Sequence, residues 1–210
     1  ERGKLEAEAE EKRKAEEQLA AEEEAFRRAQ EEEERRFAEV GPDAACAEAL
    51  VGMLAMHVSA YREATEALHS MLAGVAAEPE DIKLRVIRIA NEGFQQKLGR
   101  RPGVWLFLRG VGFIARLREE LPGGLVASLG GVGSAAERFL WLQEPNMLND
   151  YEAWVAWHTR IKGIAEVLQA LERLAFQRTA HLGRHGLDAS AKEAVSAADV
   201  MQRWEARSRG

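Results

Sequence analysis

The stretch from Lys83 to Phe113 reads KLRVIRIANEGFQQKLGRRPGVWLFLRGVGF, and its reading decides the fold. Ile87, Phe94 and Leu98 recur at helical spacing, with Leu84 and Asn91 beside them, so the pattern predicts a helix over 82–98. Lys83, Arg85 and Arg88 surround that seam with positive charge. Pro102-Gly103 then breaks the chain, Val104 to Leu108 reads as a short buried helix, and Gly112-Phe113 ends it.

The order Lys83, Leu84, Ile87, Arg88, Ile89, Ala90, Asn91, Phe94, then Gly103, Val104, Leu108, Gly112 and Phe113 resembles the PUB (PUG) domain, the peptide-binding module of peptide:N-glycanase and of several ubiquitin-pathway cofactors. The resemblance runs over roughly residues 43–173. Leu84 stands where that family often has Tyr, and Ala90 where it has Gly. It implies a mainly α fold with a small β-sheet, and recognition of the acidic, aromatic-containing C-terminal tail of the hexameric AAA ATPase valosin-containing protein or a similar motif. The implied peptide-binding residues are Lys83, Leu84, Arg88, Asn91, Gly112 and Phe113. Their chemistry suits the task. Arg88 offers a planar fork of donors and Lys83 a mobile charge. Asn91 both donates and accepts. Gly112 permits close backbone approach, while Leu84 and Phe113 flank an apolar anchor.

Outward from this stretch, charge is uneven. The whole chain of 210 residues carries a net charge of −6, which argues against a general nucleic-acid binder. Residues 1–39 hold fifteen acids and nine bases, whereas residues 83–118 hold nine bases and one acid. A basic surface on an acidic protein suits an acidic partner. The single Cys46 excludes an internal disulfide and fits a reducing, cytoplasmic setting, with a cytoskeletal or ciliary location as the alternative. No apolar run approaches the ~20 residues that span a bilayer. The opening residue is Glu1 rather than Met, so the chain is expected to be a fragment, with room for targeting signals outside it.

Residues 1–40 read as a charged single helix or spacer, braced by acid-first pairs at spacing four such as Glu23–Arg27 and Glu31–Arg35. Leu5, Leu19, Phe26 and Phe37 make no sustained heptad, so a strong coiled coil is not supported and the helix is expected to stand clear of the core. Gly41-Pro42 breaks it, and Asp43 is the expected N-cap of the next helix. A PUB-like domain is expected over 43–175. Within it, the stripe Cys46, Leu50, Met53, Leu54, Val58, Tyr61, Leu68, Leu72 forms core helices, with His57 and His69 structural. A Gly-rich insertion at about 121–137 holds a candidate strand at Leu125–Leu129, and Phe139–Leu142 is the clearest strand. Asn149 or Asp150 caps a helix to about Phe176, with Tyr151, Trp154, Val155, Ile161, Ile164, Ala165, Leu168 and Leu171 on its buried side. Residues 176–210 form a C-terminal extension, with a helix over 188–207 whose Trp204 is docked.

Chemistry is sparse. The glycines are followed by no Gly-Lys-Ser/Thr and so make no phosphate loop. His181 and His185 stand at spacing four without a further ligand, so no metal and no cofactor are expected. Glu119-Glu120 and Asp150-Glu152 read as solvated carboxylates, and the chain reads as a non-enzyme. Two functions follow: a peptide-binding adaptor, or a structural subunit of a large assembly that uses the fold as a docking block.

Overall fold

The computed structural model describes residues 2–129, 134–180 and 189–207. The protein is mainly α with one small antiparallel sheet. The helices are α1 (Arg2–Gly52), α2 (Val58–Ala77), a single turn α3 (Glu92–Phe94), α4 (Val104–Val111), α5 (Gly123–Ser128), α6 (Tyr151–Thr179), α7 (Ala191–Ala194) and α8 (Ala197–Ala206). The strands are β1 (Val86–Arg88), β2 (Phe113–Leu117) and β3 (Arg138–Leu142), in spatial order β1-β3-β2.

Helix α1 is two arms joined at Gly41, whose φ of +79° is open to glycine and costly for other residues. The arms fold back on each other. Arg36 donates from Nε and Nη2 to both carboxylate oxygens of Glu48, each at 2.7 Å. In one straight helix residues twelve apart would lie about 18 Å from each other. The predicted break is present, but the expected N-cap Asp43 has another use. Its carboxylate accepts from Trp204 Nε1 at 3.1 Å and from Arg207 Nη2, tying α8 to the start of the second arm.

The first arm corrects the expectation of a helix clear of the core. Its described side chains from residue 10 to 21 are exposed, yet Phe37 and Val40 pack on the core and Arg109 lies 4.6 Å over the Phe37 ring. The second arm carries Ala45, Cys46, Ala49 and Leu50, all buried, against α4. Contact there is close: a Cβ on Gly110 would fall 2.6 Å from Cys46 Sγ and 2.8 Å from the Pro42 oxygen.

Helix α4 is buried nearly all round and has no side-chain cap of its own. Two other helices supply its ends. Glu33 accepts from the backbone N–H of Gly103 at 3.1 Å and of Leu106 at 2.6 Å. At the other end Arg160 donates to the carbonyls of Gly110 at 2.8 Å and Val111 at 3.0 Å. An anion at the N-terminus and a cation at the C-terminus both oppose the helix dipole. Burial raises the Glu33 pKa, and the two N–H donors oppose that shift.

Helices α2 and α6 run antiparallel. Arg62 reaches Glu172 at 3.0 Å near one end, and His158 Nε2 lies 2.8 Å from the Ala76 oxygen at the other. Asp150 caps α6, accepting from Ala153 N at 2.9 Å. Tyr151 and Val155, expected on its buried side, are instead 64 % and 38 % exposed. His158 meets α2 at its last turn, and Tyr151 and Val155 precede that contact.

Three further expectations change. Residues 82–98 are not one helix: a 3-10 turn (Ile82–Arg85), β1, a turn at Asn91 and a short helical segment succeed one another. Pairing with β3 outcompetes local periodicity here. Leu125–Leu129 is not a strand, because α5 occupies most of it. The expected helix over 188–207 is broken into α7 and α8, where Ser196 and Asp199 form a reciprocal capping box. His181 and His185 lie outside the described residues, as does the core of the Gly-rich segment. Residues 191–204 share the main core with α1, α2 and α6 through Ala191, Val195, Val200 and Trp204.

Candidate functional site

The six residues expected to form a peptide site fall into three pairs. Lys83 and Leu84 lie on the 3-10 turn before β1; Lys83 is exposed and unpaired, while Leu84 is half-buried against the core. Arg88 and Asn91 lie at the opposite end of β1. Arg88 is bonded to Glu137, which also accepts from Arg118 Nη1 at 2.9 Å. The Arg88 bond, the first cause, and Arg118 hold the Glu137 carboxyl below its usual range. Asn91 is exposed and caps α3, its Oδ1 accepting from Phe94 N at 2.9 Å.

Gly112 and Phe113 lie on the other edge of the sheet. Gly112 ends α4 with φ +119°. Phe113 is fully buried, so it cannot flank an anchor as expected. Phe113 faces Leu142 in the ladder and Arg88 faces Phe139. That register puts the two about 10 Å apart along the strands and about 10 Å across them. The structure therefore brings together each pair, not the six.

The basic excess is also partly spent within the fold. Arg85, Arg88, Arg101, Arg109 and Arg118 pair with Glu144, Glu137, Glu63, Glu34 and Glu137. Lys83, Lys97, Arg100 and Arg116 have no side-chain partner among the described residues.

Sequence reasoning overlooked a recess on the sheet face that carries Trp141 and Arg116. It has a volume of about 710 Å³ and is lined by Arg85, Arg116, Trp141, Glu144, Met147 and Leu148, among others. Period two on the strands places Ile114, Arg116, Phe139 and Trp141 on this face, a signal present in the sequence once the strands are paired. Arg85 is only 5 % exposed, lies 5.3 Å over the Trp141 ring and reaches Glu144 Oε2 at 2.8 Å. Its Nε has no hydrogen-bond partner. Burial lowers the Arg85 pKa, with Glu144 opposing the shift.

Burial pushes the Cys46 thiol up to about 12, so it stays protonated. Among the described residues no group of three His, Cys, Asp or Glu side chains is placed to hold a metal, and no helix is long and apolar enough to cross a membrane. No protein-family model matches the chain, and no curated protein matches it either.

Proposed function

We propose that this chain is a protein-interaction adaptor, PUB-like in its motif, that receives an acidic C-terminal peptide of a partner at the Arg88–Asn91 corner. The observation that carries this reading is the state of Asn91. Its Oδ1 is committed to the α3 cap, while the amide NH₂ at the other end of the same exposed side chain has no acceptor among the described residues. A carbonyl or carboxylate of an incoming chain supplies that acceptor without disturbing the fold. Lys97 and Arg100, both exposed and without a side-chain partner among the described residues, follow closely in the chain and favour an acidic segment. An AAA ATPase tail of the valosin-containing-protein type is the partner the motif suggests.

Calorimetry with an acidic peptide that has a free C-terminus and a penultimate aromatic tests the reading. Binding that weakens with salt, and weakens about tenfold in Asn91→Asp, supports it. That variant keeps the cap acceptor, removes the NH₂ donor and adds repulsion. No heat at millimolar peptide from a folded protein would overturn it. The docking-block reading would then stand on a different feature, the exposed distal part of α1.

A further inference from the structure

We propose that the recess between Arg85, Arg116 and Trp141 is a second docking site, one that takes an internal acidic residue flanked by a large apolar side chain on a partner protein. It goes beyond the C-terminal-peptide reading, since it lies at the end of β1 away from Asn91 and needs no chain end.

The recess lining holds two arginines and two glutamates, so its formal charge is balanced, but its hydrogen-bonding groups are unevenly committed. Glu144 is fully engaged: Oε2 takes Arg85 Nη2, and Oε1 accepts from Trp154 Nε1 at 2.7 Å. Glu120 Oε2 accepts from the Leu117 N–H at 2.7 Å. What remains is the uncommitted Arg116 guanidinium and the unpartnered Nε of a buried Arg85. An incoming carboxylate meets the Arg116 guanidinium in a bidentate mode, while the buried Arg85–Glu144 pair stays in place beside the Trp141 ring.

Apolar surface adjoins these cations. Leu148 is 92 % exposed and Met147 is 43 % exposed at the rim, and Tyr151 and Val155 continue exposed along the first turns of α6. Large side chains left in water beside a recess mark an interaction surface. Phosphate or a sulfated sugar would use the cations and leave Leu148, Met147 and the Trp141 ring unused. An acidic residue next to an aromatic or leucine uses both, so a peptide segment fits best.

The test uses an acetylated, amidated peptide of Glu, Asp, Tyr and Leu, whose capped ends remove the chain terminus that the Asn91 corner would need. Amide and indole NMR shifts are followed in the full chain. The expected result is a saturating shift of the Trp141 indole and its neighbours. Arg116→Glu weakens it by about tenfold or more, Arg116→Lys keeps most of it, and Asn91→Asp leaves it unchanged. A thermal melt confirms that each variant is folded. Shifts that survive Arg116→Glu, shifts confined to the Asn91 corner, or no shift at millimolar peptide would each overturn the proposal. So would equal competition by inorganic phosphate, which would make the recess a general anion site. Heat with the free-carboxylate peptide and none here removes the recess alone and leaves the adaptor reading standing.

Discussion

The two faces of the sheet have opposite fates. Ile87, Phe113, Ala115, Leu140 and Leu142 face the main core, where Phe113, Leu140 and Leu142 are fully buried among the long helices. Val86, Ile114, Arg116, Phe139 and Trp141 face the other way, where α5 supplies Leu125 and Val126 and covers part of the surface. One face is sealed by long helices, and the other by a single short one. The lesson is that three short strands need cover on both sides, and a six-residue helix is too small to provide one of them. The uncovered part is the recess; of its cations, Arg116 alternates with apolar residues on β2 and Arg85 lies on the 3-10 turn before β1.

The sharpest way to break the comparison is to hollow the sealed face. Phe113→Ala should cost about 3–5 kcal/mol, because the fully buried ring leaves a cavity that its neighbours cannot fill. Urea unfolding measures it. A loss below about 1 kcal/mol would mean that this face is not the tightly packed one.

Leu125→Ala makes the matching cut on the open face. Leu125 is also fully buried, but its cover is a short helix free to settle inward. A cost of about 2 kcal/mol is expected, at the low end for a buried leucine. If it equals or exceeds the Phe113 value, the difference between the faces disappears.

Acid provides a third probe. Arg178, Asp199's largest influence, and the Ser196 cap hold the Asp199 carboxyl well below its ordinary value. A depressed pKa contributes stability that is full above the unfolded value and is lost as pH falls through the folded one. Asp199→Asn should therefore shrink the loss of stability on acidification below about pH 4. Glu33 has the opposite sign: its raised pKa favours the protonated form in the fold, so its contribution improves as pH falls. Parallel pH profiles for wild type and Asp199→Asn would exclude Asp199 as a source of acid sensitivity.

A smaller effect is expected at the exposed corner. Asn91→Ala should lower stability by about 1 kcal/mol through loss of the α3 cap, and Asn91→Asp by much less. Thermal melting of the two variants separates the cap from the peptide contact, since both lose the donor and one keeps the acceptor. The smallest effect belongs to α1. Removing residues 1–21 should leave the melting temperature within about a degree, because the described side chains there are exposed. Removal through residue 39 should lower it by several degrees, as Glu33 and Phe37 go with it.

Much of the fold was legible in the chain itself. The break at Gly41-Pro42, the core stripe from Cys46 to Leu72, the buried segment from Val104, the strand at Phe139–Leu142, the α6 cap and the docking of Trp204 all follow from local signals: helix breakers, apolar periodicity, β-propensity and cap residues. These act over a few residues, so the sequence states them directly. The same sequence misleads at 82–98, where apolar spacing fits a helix but β3, about fifty residues on, captures Val86–Arg88 as a strand. Nor does local pattern reveal that Glu33 would cap α4, that Glu137 and Glu144 would neutralise arginines of the basic stretch, or that Phe113 would be sealed. Long-range pairing decides those points. Charge on a sequence is only a count, and whether an arginine is spent within the fold or left for a partner depends on which carboxylate the tertiary structure brings within about 3 Å.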